Sequence, residues 1–224
     1  MCTTLNSAVT PRFFEAINND VVAAILLQAR SKRFDLGCTI ITGGDVATHL
    51  FLVSSGKLKY YRLTSNGDEI LLHWLTPGDV FGLGTLLKNP PAYVGSAEAL
   101  SDCDVVVWRH ETIRKLTRKY PQLSENALRI VLHYLKNYAD RHIGLVTKTA
   151  EQRLATTLLK LGHGTGTVQS SGVEVRATNA QLAAFSDISR FTASRLLNVW
   201  QKKGMVRKHR GRVLIRAPES LLVD

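Results

Sequence analysis

The chain has 224 residues, 45% of them hydrophobic, and a formal net charge of +11. That is apolar content enough for a sizeable core, length enough for two domains, and a basic excess that points to an anionic partner. Cysteines stand only at 2, 38 and 103, which argues against a secreted disulfide framework; with no signal-like N-terminus and no apolar run near the about 18 residues that span a bilayer, a soluble cytoplasmic protein is expected, with no membrane partner.

A helix is predicted over about 11–29. Between Phe34 and Trp108 the pattern turns to short β-rich runs, Leu50–Val53, Leu58–Tyr61, Ile70–Leu75 and Val105–Trp108, separated by Gly, Asp and Asn turns at 37, 43–45, 55–56, 65–68 and 77–79. Strands at such spacing predict an antiparallel roll or barrel, against which the first helix would lie. Cys38 and Cys103 fall in predicted strands, where a free cysteine behaves as a small core residue; the sequence leaves open whether either is redox-active.

From about Ser124 to Leu161 the pattern is helical. Leu128, Val131, Leu135, Tyr138, His142 and Leu145 recur at alternating spacings of three and four, with Leu132, Ala139 and Val146 beside them. A seam sustained in this way suits a helix that touches both its own domain and a partner subunit, so a homodimer is expected; the alternative is a core helix within one chain. The run Gly162–Gly166 lacks the consecutive Lys-Ser/Thr pair of a phosphate-binding loop and reads as a flexible connector.

The last segment is the most informative. Thr178 and Gln181 have the form of a capping box that opens the apolar run Leu182–Phe185, and Ser186, Asp187 and Ile188 then make a three-residue turn in which Asp tolerates the left-handed conformation. Ser189 stands at the N-cap position of a second helix over 189–203. Its Ala193, Leu196, Leu197 and Trp200 form a buried stripe, while Arg190, Phe191, Ser194, Arg195 and Asn198 fall opposite. Lys202 and Lys203 before Gly204 suit a helix C-terminus. Helix, tight turn and helix with a polar outer face form a helix-turn-helix, and two short strands joined by the basic turn Arg207–Arg212 make its wing. Lys and Arg occupy 190, 195, 202, 203, 207, 208, 210, 212 and 216 with no Asp or Glu between Arg190 and Arg216, a block that faces phosphate; the bland alternative is a solvated basic face on a structural helix pair.

This order of parts resembles the cyclic AMP receptor protein / FNR (CRP/FNR) family of bacterial transcription regulators, and the resemblance covers nearly the whole chain. The roll motifs that carry it are Phe34–Gly37, Gly44 with Asp45, Leu50–Gly56, Asn66–Glu69 and Pro77–Gly82, and the helix-turn-helix ends in the family-like Ser194–Leu197. The resemblance implies an α+β fold: an N-terminal double-stranded β-helix (a jelly roll of the cyclic-nucleotide-binding kind) at 1–123, a long dimerisation helix at 124–147 and a C-terminal winged helix-turn-helix at 148–224. It implies a homodimer on a palindromic operator in double-stranded DNA, with RNA polymerase as a further partner if the protein activates. DNA contacts are expected from Thr178, Arg190, Phe191, Thr192, Ser194, Arg195, Asn198, Lys202, Arg207, Lys208, Arg210 and Arg212.

By the same resemblance, Arg190 and Arg195 match arginines that meet guanine edges or phosphates, and Thr178 matches a phosphate-binding position. Phe191 stands where the family often has a Glu that reads a cytosine amino group, so the operator should differ at that base. The effector pocket maps to Gly82, Leu83, Gly84, Tyr93 and Val94, with Tyr138 and Ala139 where relatives meet adenine. These positions lack the family's ribose-binding Glu and phosphate-binding Arg, and a buried unpaired cyclic phosphate is costly, so cyclic AMP is not expected. An FNR-type cluster needs four cysteines, more than the chain has. Haem-based relatives that sense carbon monoxide or nitric oxide use an axial His, for which His73, His133 and His142 are the candidates, although packing or hydrogen bonding is the commoner role of a lone His.

Enzyme motifs are missing. Gly82 and Gly84 make half a dinucleotide fingerprint, but Leu87 stands where the third Gly is needed, and no HExxH or GxSxG occurs. The expected function is a homodimeric DNA-binding regulator with no certain cofactor. The competing readings are a haem-dependent gas-sensing regulator and a small-molecule-binding protein with no DNA target.

Overall fold

The structure, a computed structural model, describes residues 10–67 and 69–222, with the backbone alone at 164, 165 and 222. Cys2, and Asp68 of the Asn66–Glu69 motif, lie outside the described residues. The chain divides into two units, Met1–Lys136 and Asn137–Asp224.

In the first unit a short 3₁₀ turn (Arg12–Phe14) and α1 (Asn19–Leu26) precede eight strands: β1 (Arg30–Phe34), β2 (Thr39–Ile41), β3 (His49–Ser55), β4 (Leu58–Leu63), β5 (Glu69–Leu75), β6 (Val80–Phe81), β7 (Ser96–Ala99) and β8 (Cys103–Arg109). α2 (His110–Lys119) follows, and α3 (Gln122–Thr147) contains the boundary between the units. The strands form two four-stranded antiparallel sheets, ordered β1-β8-β3-β6 and β2-β7-β4-β5.

Side-chain alternation assigns the faces of the first sheet. Phe51 and Val53 on β3, with Val105 and Val107 on β8, join a core containing Leu58, Tyr60, Leu75 and Ala97 of the second sheet. Their neighbours Leu50, Leu52, Val106 and Trp108 point the other way, into a core with Phe13, Phe14, Ile25, Ile113, Leu116 and Leu123. The sheet is therefore covered on both faces, which is why β3 and β8 read as unbroken apolar runs. The Trp108 indole N–H donates to Ile25 O at 3.0 Å, and the buried Asn126 amide donates to Phe13 O at 3.0 Å and Glu15 O at 2.8 Å, tying α3 to the N-terminal turn.

Three expectations change here. The helix over 11–29 is broken, because Ala16 takes a left-handed φ of 58° and Asn18 starts a new helix by accepting from Asp20 N at 2.8 Å. The helical run 124–161 is two helices: α3 ends at Thr147, and a capping box of Thr149 and Gln152 opens α4 (Ala150–Thr165). Cys38 is exposed in the turn between β1 and β2 rather than buried in a strand, whereas Cys103 is buried on β8, and burial pushes its thiol pKa up.

The second unit also corrects the expected connector. Residues 162–165 are the last turn of α4, and Gly166 is its cap. A hairpin that the sequence reading missed follows, β9 (Thr167–Gln169) and β10 (Gly172–Val175). Then come α5 (Asn179–Ser186), α6 (Arg190–Lys202), β11 (Val206–His209) and β12 (Arg212–Ile215), the last two in a sheet ordered β11-β12-β10-β9. Leu154 and Leu158 of α4 pack with Leu182, Leu196, Leu197, Trp200, Val213 and Ile215 in one core.

Candidate nucleic-acid interface

The local rules that predicted the helix pair are met atom by atom. Thr178 Oγ1 accepts from Gln181 N at 3.2 Å while Gln181 Oε1 accepts from Thr178 N at 2.9 Å, a complete capping box for α5. Asp187 takes the left-handed conformation at φ 51° and ends that helix. Ser189 Oγ accepts from Thr192 N at 3.0 Å and opens α6. A non-glycine residue in the left-handed region costs about 1–2 kcal/mol, so the turn is held by its surroundings.

Helical register then separates two faces. Ala193, Leu196, Leu197 and Trp200 are buried, and the Trp200 indole N–H donates to Glu151 Oε1 at 2.8 Å. Arg190, Phe191, Arg195, Asn198 and Lys202 are exposed, while Thr192 and Ser194 are half-buried between them. Phe191 shows 78% of its surface, far more than packing within the chain would leave. Gly204, at φ 74°, ends the helix, and Met205 N returns to Trp200 O at 2.9 Å.

The wing is pinned to this helix. Lys208 N donates to Gln201 Oε1 at 3.0 Å, and Lys208 Nζ donates to Asn198 Oδ1 at 2.7 Å. Gly211 turns the hairpin at φ 72° beside the exposed Arg210. Arg212 is 3.6 Å from Glu174, but among the described residues Arg190, Arg195, Lys202, Arg207, Lys208 and Arg210 form no ion pair. Unneutralised guanidiniums on a rigid convex helix can make paired hydrogen bonds to guanine O6 and N7 or to phosphate. Thr178 is exposed, and because its oxygen serves the cap as acceptor, its hydroxyl proton can still donate. Sequence reading missed the Lys208–Asn198 bond, and it missed Arg141 and Arg153, whose guanidiniums reach the turn at 186–187.

The predicted effector positions fall in both units. The Tyr93 hydroxyl accepts from His49 N at 3.0 Å and donates to His49 O at 3.1 Å, so its phenol fills the position matched to the phosphate-binding Arg. Gly82 has φ 79°, and a Cβ there would meet His49 O at 2.5 Å, so the backbone demands glycine. Gly84 lies against Pro91, Leu83 packs into the outer core and Val94 faces solvent. Tyr138 and Ala139 belong to the second unit, half-buried and exposed respectively. With a neutral phenol where an anion needs a cation and no carboxylate at Leu83, these residues do not fit cyclic AMP.

The three haem candidates lie in different surroundings. The His73 ring stacks on Tyr134 at 4.5 Å and lies 5.0 Å from Tyr60. Burial pushes its pKa down to about 4. His133 and His142 are exposed on α3, and burial, with Arg12 and Lys136 nearby, lowers the His133 pKa. Among the described residues no group of three or more His, Cys, Asp or Glu could hold a metal ion. Elsewhere on the roll, Arg30, Lys32, His49 and Arg109 line a cleft of about 320 Å³, where burial and then the Lys32 and Arg109 charges lower the His49 pKa.

Residues 31–120 match the family model for a cyclic nucleotide-binding domain, and residues 152–223 match that for a Crp-like helix-turn-helix domain. The chain is 30% identical over 212 residues to the cyclic AMP receptor protein of Thermus thermophilus, covering 94% of each. It is 26% identical over 210 residues to a CRP-like cAMP-activated global transcriptional regulator of Mycobacterium tuberculosis, covering 93% of each. The structure superposes with a TM-score of 0.79 on the c-di-GMP responsive global regulator CLP of Xanthomonas campestris, at 18% identity, over 88% of this chain and 99% of that one. With its roll and its winged helix matched in order and a 30% identical relative aligned along almost its whole length, the chain belongs to the CRP/FNR family of transcription regulators, whose helix-turn-helix domain binds DNA.

Proposed function

We propose that the protein acts in the cytoplasm as a homodimer that binds a palindromic operator, each protomer laying α6 in a major groove and its wing along the flanking backbone. The observation that carries this is the exposed face of Arg190, Phe191, Arg195 and Asn198, its two guanidiniums free of ion pairs among the described residues, on a helix whose other side is locked into a core. Arg190 and Arg195 read guanine edges or hold phosphate; Phe191 touches a thymine methyl or the sugar beside it. Thr178, Thr192, Ser194, Lys202, Arg207, Lys208, Arg210 and Arg212 position the domain on phosphates.

The functional division is a sensor roll at 1–123, a dimer helix at 124–147 and a DNA-binding domain at 148–224. Dimerisation is supported by apolar side chains that α3 leaves on its surface: Leu128, Val131, Leu132, Leu135 and Leu145 are exposed, Leu135 by 62%. A continuous apolar stripe of this kind marks an interface. An effector, if the roll takes one, acts by binding one arrangement of the two DNA-binding domains better than the other. Cyclic AMP is not that effector, because Tyr93 takes the place of the cation it needs. RNA polymerase is the third partner where the operator lies upstream of a promoter.

Arg195→Ala tests the reading. Losing a paired guanine contact costs about 1–3 kcal/mol in each half-site, so footprinting should show the selected operator losing its advantage over unrelated duplex. An unchanged footprint would remove α6 from the recognition role.

A further inference from the structure

The turn between α5 and α6 is held by side chains from α3 and α4. The last four carbonyls of α5 and its cap are the groups a helix end leaves without backbone partners. Here Arg141 Nη2 donates to Ala184 O at 3.3 Å, Thr157 Oγ1 to Phe185 O at 3.5 Å, Arg153 Nε to Ser186 O at 2.9 Å and Arg153 Nη2 to Asp187 O at 3.3 Å. Arg141 also grips the Asp187 side chain with two nitrogens, Nε reaching Oδ2 at 2.6 Å and Nη2 reaching Oδ1, with both side chains about three-quarters buried. Arg153 closes the arrangement from below by donating Nη1 to Lys148 O at 2.8 Å, beside the break between α3 and α4.

Asp187 is an unforced choice for this position. Its φ of 51° is a conformation that glycine adopts freely, and the backbone alone would be better served by glycine. What glycine cannot supply is a carboxylate for Arg141. Paired guanidinium–carboxylate bonds fix direction as well as distance, because both groups are planar. Arg141 lies on the same helical turns as the seam residues Tyr138, His142 and Leu145, and Asp187 lies two residues before Ser189, the cap from which α6 begins. A rotation of this part of α3 is thereby passed to the first turn of α6, where Arg190 and Phe191 sit.

We propose that Arg141 is a positioning residue for operator recognition: through Asp187 it fixes the direction of the recognition helix against the dimer helix, and hence the half-site spacing the dimer accepts. It touches no DNA itself. This rests on α6 being the recognition helix and α3 the dimer helix. It predicts a defect of a particular kind, in which the domain is folded and binds phosphate normally but matches two half-sites poorly.

The test uses the full chain with Asp187→Gly, a substitution that relieves the backbone while removing the carboxylate, and Arg141→Gln beside it. The probe is a palindromic duplex selected by the unmodified protein from a randomised pool, with a series of the same half-sites at altered spacing and an unrelated duplex. Expected for Asp187→Gly are a thermal midpoint at or above that of the unmodified protein, an operator affinity lowered about ten-fold or more, and a flattened spacing preference. Affinity for the unrelated duplex and the salt slope should be unchanged, because no phosphate contact is lost. Arg141→Gln should reproduce the binding defect. Normal operator affinity and spacing preference in Asp187→Gly, or an equal loss on both kinds of duplex, overturns the positioning role. Arg195→Ala separates the two levels: if it keeps the operator's selectivity, or if the unmodified protein selects no duplex, the recognition-helix reading falls and the positioning role falls with it.

Discussion

The two halves of this chain keep different parts of one family pattern. In the DNA-binding unit the scaffold and both matched arginines are present: the capping box at Thr178, the left-handed turn at Asp187, the buried stripe ending at Trp200 and the exposed guanidiniums at Arg190 and Arg195. In the roll the scaffold is kept, while the positions matched to the nucleotide-binding Glu and Arg hold Leu83 and Tyr93. Gly82 remains because a Cβ would strike His49 O at 2.5 Å, yet the position matched to the phosphate cation holds Tyr93, bonded to the same backbone. Glycines answer to the backbone and charges answer to the ligand, so the two can be lost independently.

The largest expected effect breaks one half and spares the other. Trp200 is fully buried in the core of the second unit, so Trp200→Ala should cost that unit about 3–5 kcal/mol while leaving the melting of the roll, with its separate cores, near its original temperature. Calorimetry would follow both units, and tryptophan fluorescence of Trp74 and Trp108 would follow the roll alone.

The roll has its own signature in pH. His73 has a folded pKa of about 4 against 6.5 for a solvated histidine, because burial disfavours the imidazolium. The unfolded chain therefore binds the extra proton first. Stability from the neutral ring is complete above about pH 6.5 and is lost as pH falls toward 4, about 3 kcal/mol in all, as expected for a shift of that size. Denaturant titrations between those limits should show the slope, and His73→Phe should flatten it.

Phe191→Glu sharpens the comparison at a single base. It should move the half-site preference toward cytosine at the position this side chain faces, by about 1–3 kcal/mol, as read by selection from a randomised duplex pool. A preference left where it was would detach Phe191 from base reading. Smallest of all, Arg210→Ala at the wing tip should weaken binding to every sequence alike and lower the salt slope by about 0.9 for each phosphate contact removed.

Legibility in the sequence follows the range of the forces involved. Caps, turns and the stripe of α6 are set by residues within four positions of one another, and Ser189, Thr178 and Asp187 could be placed from the sequence alone. The strands of the roll were visible because two buried faces make apolar runs. What escaped depends on distant partners. Nothing near Arg141 announces Asp187, 46 positions away, and nothing near Lys208 announces Asn198. The break after Thr147 was hidden by the continuing apolar rhythm, although Thr149 and Gln152 carry the capping-box pattern that ends it. Gly162–Gly166 misled by composition: glycines usually loosen a chain, but here four of the five residues complete a helical turn packed near Val173 and Ile215. The short β9–β10 hairpin was missed for want of length, and Cys38 was assigned to a strand that begins one residue later.

The most direct test of the central claim compares the affinity of the purified protein for a palindrome it has selected with its affinity for the same bases scrambled, at about 0.2 M salt, with and without cyclic AMP. Specific operator complexes are typically about 10³-fold or more tighter than non-specific ones, and that preference should survive the salt and be indifferent to the nucleotide. Equal binding to the two duplexes would contradict DNA recognition by α6, and a preference that appears only with cyclic AMP would contradict the account of Tyr93.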